Sequence, residues 1–218
     1  VTTDFIYNTA VVCHPGSGAR ASATSSRADS WSAPETIVQA ITFDQTFAGK
    51  RPLAVDSQNR PRLAFASDQG IFYATFDDGA WNKVSVPVTP SMLSKAALAL
   101  DIQDRASIAF YDGPGHIWLA QELDPADRAV GQTAAGGWRL ESVTAQDFGS
   151  NTSERIDLRF GSDGRLHALY YDADDHSYHY LVRDGDAWSA PATAVDSSTC
   201  SPLALDQSDI PHLVCVKD

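Results

Sequence analysis

The sequence predicts an all-β fold, a β-propeller of four-stranded antiparallel blades, and three observations carry that prediction. One segment recurs four times without gaps: KRPLAVDSQNRPRLAFAS from Lys50, KAALALDIQDRASIAFYD from Lys95, RIDLRFGSDGRLHALYYD from Arg155 and CSPLALDQSDIPHLVCVK from Cys200. Each copy is a short apolar run, a polar turn and a second aliphatic and aromatic run, which is the signature of a β-hairpin. Downstream of the first three copies stand a third apolar run and then a tryptophan, Trp81, Trp138 or Trp188, that opens a fourth. No stretch has helical periodicity of useful length, and Gly, Asp, Asn and Pro punctuate the strand boundaries.

A four-stranded unit of roughly 45 residues cannot bury both faces alone, so successive units stack around an axis as blades. The hairpins start at 50, 95, 155 and 200, and the longer middle step is the insertion LDPADRAVGQTAAGG before Trp138. The repeats are therefore read as 50–94, 95–154 and 155–199, with a shared blade built from 1–49 and 200–218. The C-terminal copy supplies a first and a second strand, while RASATSSRADSWSAPETIV, residues 20–38, matches a third and a fourth with Trp31 in the tryptophan place. Four blades closed by both termini would remove the open sheet edges. Residues 3–12 add a strand that this count does not place, so a five-bladed ring or part of a larger propeller stays open.

The chain has 218 residues, 43% hydrophobic and 20% charged, enough for one packed domain over 1–218. A net charge of -12 with scattered acidic residues repels a phosphate backbone, so nucleic acid is excluded as a partner. No apolar run reaches the roughly 18 residues of a membrane span, and the first residues lack the pattern of a signal peptide.

Cys200 and Cys215 stand at corresponding places on either side of the last turn, so a disulfide is expected between them. It would pin the terminal hairpin and point to an oxidising compartment, secreted or periplasmic. Cys13 is left over as a free thiol or a competitor for Cys215.

The slot held by Cys200 is Lys50, Lys95 and Arg155 in the other repeats, so three cations are expected near one channel mouth, where they could hold a carboxylate or sulfate. The competing reading lays each over a facing aromatic, Phe65, Phe110 or Tyr170. Arg60, Arg105 and Arg165 recur at the turns and are read as solvated. The recurring tryptophans read as packing between blades, which leaves the idiosyncratic Trp118 and the cluster YYDADDHSYHY, residues 170–180, as the better ligand candidates. Within that cluster Tyr171, Asp172, His176 and Tyr178 are taken as ligand-binding. Asp172, Asp174 and Asp175 offer oxygens to Ca²⁺, and His176 with His179 offers nitrogens, but no metal motif is matched and no metal or other cofactor is assigned.

An aliphatic strand, Asp, a turn, a strand ending in aromatics and Asp, and then a tryptophan-opened strand resembles the divergent repeats of sialidase-like and lectin-like β-propellers over residues 20–218. The resemblance implies a propeller fold and a glycan ligand. A sialidase would imply an arginine cluster, a Tyr–Glu nucleophile pair and an acidic Asp. The Asp-box, Ser-x-Asp-x-Gly-x-Thr-Trp, is reduced to GSDGR at 161–165, and no catalytic residue is assigned. Three readings follow: a secreted carbohydrate-binding propeller, a protein-binding scaffold that could oligomerise through its loop face, and a sialidase-like glycoside hydrolase.

Overall fold

The computed structural model describes residues 7–12, 35–41, 51–67, 70–88, 96–111, 116–124, 135–144, 156–172, 174–196 and 199–216. Strands make up nearly all of the regular structure. The first complete blade is an antiparallel sheet of β3 (Leu53–Val55), β4 (Pro61–Ser67), β5 (Gly70–Asp77) and β6 (Ala80–Ser85), in that order. The second is β7 (Ala96–Leu100), β8 (Ala106–Tyr111), β9 (Ile117–Glu122) and β10 (Trp138–Ser142). The third is β11 (Ile156–Phe160), β12 (Leu166–Asp172) and β13 (Ser177–Asp184), with the fourth position split between β14 (Ala187–Trp188) and β15 (Ala192–Asp196). No helix among the described residues is long and apolar enough to cross a membrane.

Why the inner strands read as almost unbroken apolar runs follows from the stacking. In AALAL of β7, Ala96 and Leu98 face the first blade while Ala97 and Ala99 face the third. Between blades one and two lie Ile71, Tyr73, Leu98, Ile108, Phe110 and Trp138. Between blades two and three lie Tyr111, Leu119, Leu158, Leu166, Tyr170 and Leu181. Each fully buried aliphatic side chain here contributes roughly 1.5–3 kcal/mol relative to exposure. Trp138 and Trp188 serve the same packing between blades, while Trp81 packs on Leu63, Phe65, Phe72 and Ala74 of its own blade.

The last hairpin consists of β16 (Thr199–Cys200), β17 (Ala204–Leu205), β18 (Pro211–His212) and β19 (Cys215–Val216). Cys200 and Cys215 are directly opposed and disulfide-bonded, with Cα atoms 4.0 Å apart. Leu203, Leu205 and Leu213 close over Leu169 and Tyr178 of the third blade.

The strand the sequence left unplaced has a partner. β1 (Tyr7–Val12) pairs antiparallel with β2 (Glu35–Ile41), and the register slips by one residue between Ala10↔Val38 and Val11↔Thr36. β13 and β15 slip at the same place, between Tyr178↔Val195 and His179↔Thr193. Because WSAPETIV at 31–38 aligns with WSAPATAV at 188–195, β2 is a fourth strand and β1 holds the third-strand place beside it. The sequence reading took the third strand from residues 20 onward; the backbone pairing gives that place to 7–12 instead.

The inner strands converge on a common axis. Leu98 N–H donates to the Arg51 carbonyl at 2.8 Å, joining blades one and two. The Arg51 side chain crosses to Asp157 of the third blade at 3.2 Å and to the Leu203 carbonyl of the last hairpin at 3.0 Å.

Candidate functional site

Each hairpin turn is closed by the same backbone pattern. The N–H of Asp56, Asp101, Gly161 and Asp206 reaches the carbonyl four residues on, in Arg60, Arg105, Arg165 and Ile210, at 2.9–3.1 Å. The residue three places along, Asn59, Asp104, Gly164 or Asp209, has positive φ, a conformation that Gly, Asn and Asp tolerate best. In three turns the leading Asp accepts two backbone N–H bonds from the turn it opens. The third turn begins instead with Gly161, and Asp163 takes over, binding the backbone and guanidinium of Arg165. The turn arginines keep substantial exposure, as the sequence reading has them, and are also ion-paired, Arg60 to Asp56 and Asp77, Arg105 to Asp101 and Arg165 to Asp163.

Two of these turns are tied to the next blade. Ser57 donates its backbone N–H at 2.9 Å and its hydroxyl at 2.5 Å to the Asp104 carboxylate. Ser162 does the same to Asp209 at 2.7 and 2.8 Å. The Ser162 backbone, followed by its hydroxyl, holds the Asp209 carboxyl below the usual range. Between blades two and three the corresponding residues are Ile102 and Gly164, which have neither the hydroxyl nor the carboxylate. Ile102 is 89% exposed.

At that seam a crevice of about 720 Å³ opens, within the roughly 300–1,000 Å³ usual for small-molecule sites. Its walls are the second-blade turn, the ends of β9 and β10, the third-blade turn and Arg183 with Gly185. Arg139 donates to the Gln121 side-chain carbonyl at 2.9 Å and to Asp186 at 3.1 Å, and its Nε is buried with no partner. Arg183 forms a two-pronged pair with Glu141 at 2.7 and 3.0 Å, and the Trp188 indole N–H donates to the same carboxylate at 3.0 Å. Gln121 donates to the Ser107 hydroxyl at 3.3 Å, and Phe160 adds an aromatic wall. Three guanidiniums, those of Arg105, Arg139 and Arg183, thus face Asp101, Glu122, Asp124 and Asp163. Such a wall supplies neutral hydroxyl groups with both donors and acceptors and holds no excess of positive charge.

Among the residues singled out from sequence, Lys50, Lys95 and Arg155 lie outside the described residues. Trp118 is half-buried against the core of blades one and two and is not part of the crevice wall. Tyr171 is half-buried, and its hydroxyl meets His176 Nδ1 at 3.3 Å. Tyr178 is fully buried against Leu169, Cys200 and Leu203, so its ring is core and is withdrawn as a ligand platform. Asp172 is 8% exposed and accepts the Asp174 N–H at 2.8 Å. Asp172, Asp175 and His179 each place a donor atom within 4.8 Å of the others, but Asp175 already accepts from Ser177 at 2.6 Å and bonds His179 at 2.8 Å. Asp175, Ser177 and His179 are thus bonded to one another, while Asp172 bonds the backbone of Asp174. Sequence reasoning missed Gln121, Arg139, Glu141 and Arg183; the available signal was the break in the turn pattern at Ile102 and Gly164.

The fold is similar to that of Aleuria aurantia lectin. A mutant of that lectin in complex with α-methyl-L-fucoside aligns with a TM-score of 0.53 and 13% identity, over 77% of this chain and 50% of that one. The same mutant in complex with Fucα1-6GlcNAc gives 0.49 at 13% identity and the same coverage. The chain spans about half the length of these solved chains. At this identity the likeness shows the fold alone, that of a β-propeller. No family model and no curated protein sequence matches the chain.

Proposed function

We propose that the chain is a carbohydrate-binding, lectin-like propeller module whose sugar site is the crevice between the second and third blades. The observation that carries this reading is the coincidence of three things at one seam: the lost Ser–Asp tie, the opened volume, and a lining of paired donors and acceptors beside an aromatic ring. Sugar hydroxyls bond well to such pre-positioned groups, and sugar faces stack on aromatic rings. The lectin that aligns at a TM-score of 0.53 was solved with α-methyl-L-fucoside, so a fucoside is the first ligand to try. The Cys200–Cys215 disulfide supports maturation in an oxidising, secreted or periplasmic setting.

The test is a glycan array on the oxidised protein, followed by calorimetry with α-methyl-L-fucoside and the best hits. Binding that survives high salt, as expected for a neutral ligand, and falls about tenfold or more in Arg139→Ala and Gln121→Ala supports the reading. A blank array, or hits indifferent to both substitutions, removes the crevice as a sugar site.

A further inference from the structure

Around the propeller axis the described charges do not balance. Asp157 is fully buried, and its two oxygens are taken by the N–H groups of Leu158 at 3.0 Å and Leu203 at 2.6 Å and by Arg51 at 3.2 Å. One carboxylate is thereby matched to one guanidinium. Arg159, two residues along β11 on the same face, brings a second cation, which donates from Nε to the Leu203 carbonyl at 2.9 Å. That carbonyl already accepts from Arg51 at 3.0 Å, so the two donor nitrogens are no farther apart than 3.0 plus 2.9 Å. Neither lone pair of the carbonyl is then free for the rest of the Arg159 fork. Among the described residues no carboxylate lies within ion-pair distance of Arg159. The repeat-equivalent positions are Ala54, Ala99 and Ala204, so this cation belongs to one blade and not to the repeat.

We infer that Arg159, with Arg51 beside it, forms an oxyanion site at the axis, one that takes a carboxylate, sulfate or phosphate group. A planar fork with open donors suits a tetrahedral or carboxylate anion in a two-pronged pair. Half-burial raises the cost of leaving the second cation unmatched. Burial and then the neighbouring Arg51 lower the affinity of Arg159 for its proton, and Asp157, which acts the other way, does not offset them, the sign expected of a cation short of anionic partners. In a chain of net charge -12 this is a local reversal of sign, and it is separate from the crevice, whose guanidiniums are opposed by acids.

The experiment titrates sodium sulfate into the intact, oxidised protein at constant ionic strength set by chloride, following thermal melting and the arginine Nε–H resonances. The expected result is a saturable rise in melting temperature with a shift of one or two side-chain signals, reduced about tenfold or more in apparent affinity by Arg159→Ala. Because three blades carry alanine at that position, the variant should fold, and Arg159→Lys, which keeps the charge without the fork, should retain only part of the response. Methyl glucuronide, galactose 6-sulfate and free phosphate then separate a carboxylated sugar, a sulfated sugar and an inorganic ion as sources. Arg139→Ala should leave the sulfate response unchanged, which keeps this site distinguishable from the crevice. A sulfate response no larger than that of matched chloride, or one equal in Arg159→Ala, overturns the assignment.

Discussion

Ile102 and Gly164 stand across the seam of blades two and three in the two places that Ser57 and Asp104, or Ser162 and Asp209, hold at the neighbouring seams. Installing the tie should close the crevice. The double substitution Ile102→Ser with Gly164→Asp is accessible, since Asp104 and Asp209 already sit at φ near +60° and Gly164 at +81°. Chemical denaturation should show a gain of about 1 kcal/mol from the new hydrogen bonds, while calorimetry should show sugar affinity reduced several-fold.

Asp56 anchors the first turn and should govern acid stability. Burial pushes its carboxyl up, but the Arg60 backbone, the Arg62 and Arg60 guanidiniums and the Gln58 N–H outweigh burial and hold it at about 2. Its folded-state value is depressed, so its contribution is complete above the ordinary carboxylate range and is lost as the pH falls toward 2. Asp56→Ala would leave the buried Arg62 guanidinium with Asp77 alone, costing about 3 kcal/mol near neutral pH. Urea melts at pH 7 and pH 3 should show the gap between wild type and variant narrowing at the lower pH.

Much of this was legible in the chain and some was not, for physical reasons. The hairpins and their turns follow from spacing, because a repeated backbone pattern demands repeated Asp, Asn or Gly at the same offsets. The disulfide follows from register, although the hairpin around it slips: Cys200 opposes Cys215, whereas Ala204 opposes His212. The crevice was invisible because its residues are departures from the repeat, and a departure has no meaning until the blades are known to be neighbours. Arg51 reaches Asp157 across 106 positions in the chain, a contact no local pattern encodes.

Gly161 is where the third turn departs from its siblings, and the departure makes room for His167. A Cβ added at 161 would lie 2.8 Å from Asp163 Oδ1, 2.9 Å from His167 Nε2 and 3.0 Å from Asp209 Cγ. Gly161→Ala should therefore displace the Asp209 tie and cost roughly 1–3 kcal/mol, read by thermal melting. Gly185→Ala, which has open space around it, should cost less, chiefly from its positive φ.

Reduction of Cys200–Cys215 should loosen the last hairpin before anything else. The bond closes a loop of 15 residues, worth about 3 kcal/mol on a chain-entropy account. Hydrogen exchange with and without reductant should show protection lost first at Leu203 and Val214, while Leu98 and Ile108 in the second blade keep theirs.

The Ser–Asp tie is present at the first seam, missing at the second and present at the third, so along the turn face the blades are coupled in pairs. A separate apolar cluster lies beneath each of the three seams, and this packed core confines any freedom to the rim. The expected soft mode is a small opening of one pair against the other about that core, a hinge whose mouth is the crevice itself. A ligand bridging Arg105 on one side and Arg183 on the other would act as the missing fastener. Occupancy would then be felt mechanically, as a stiffening of the whole turn face.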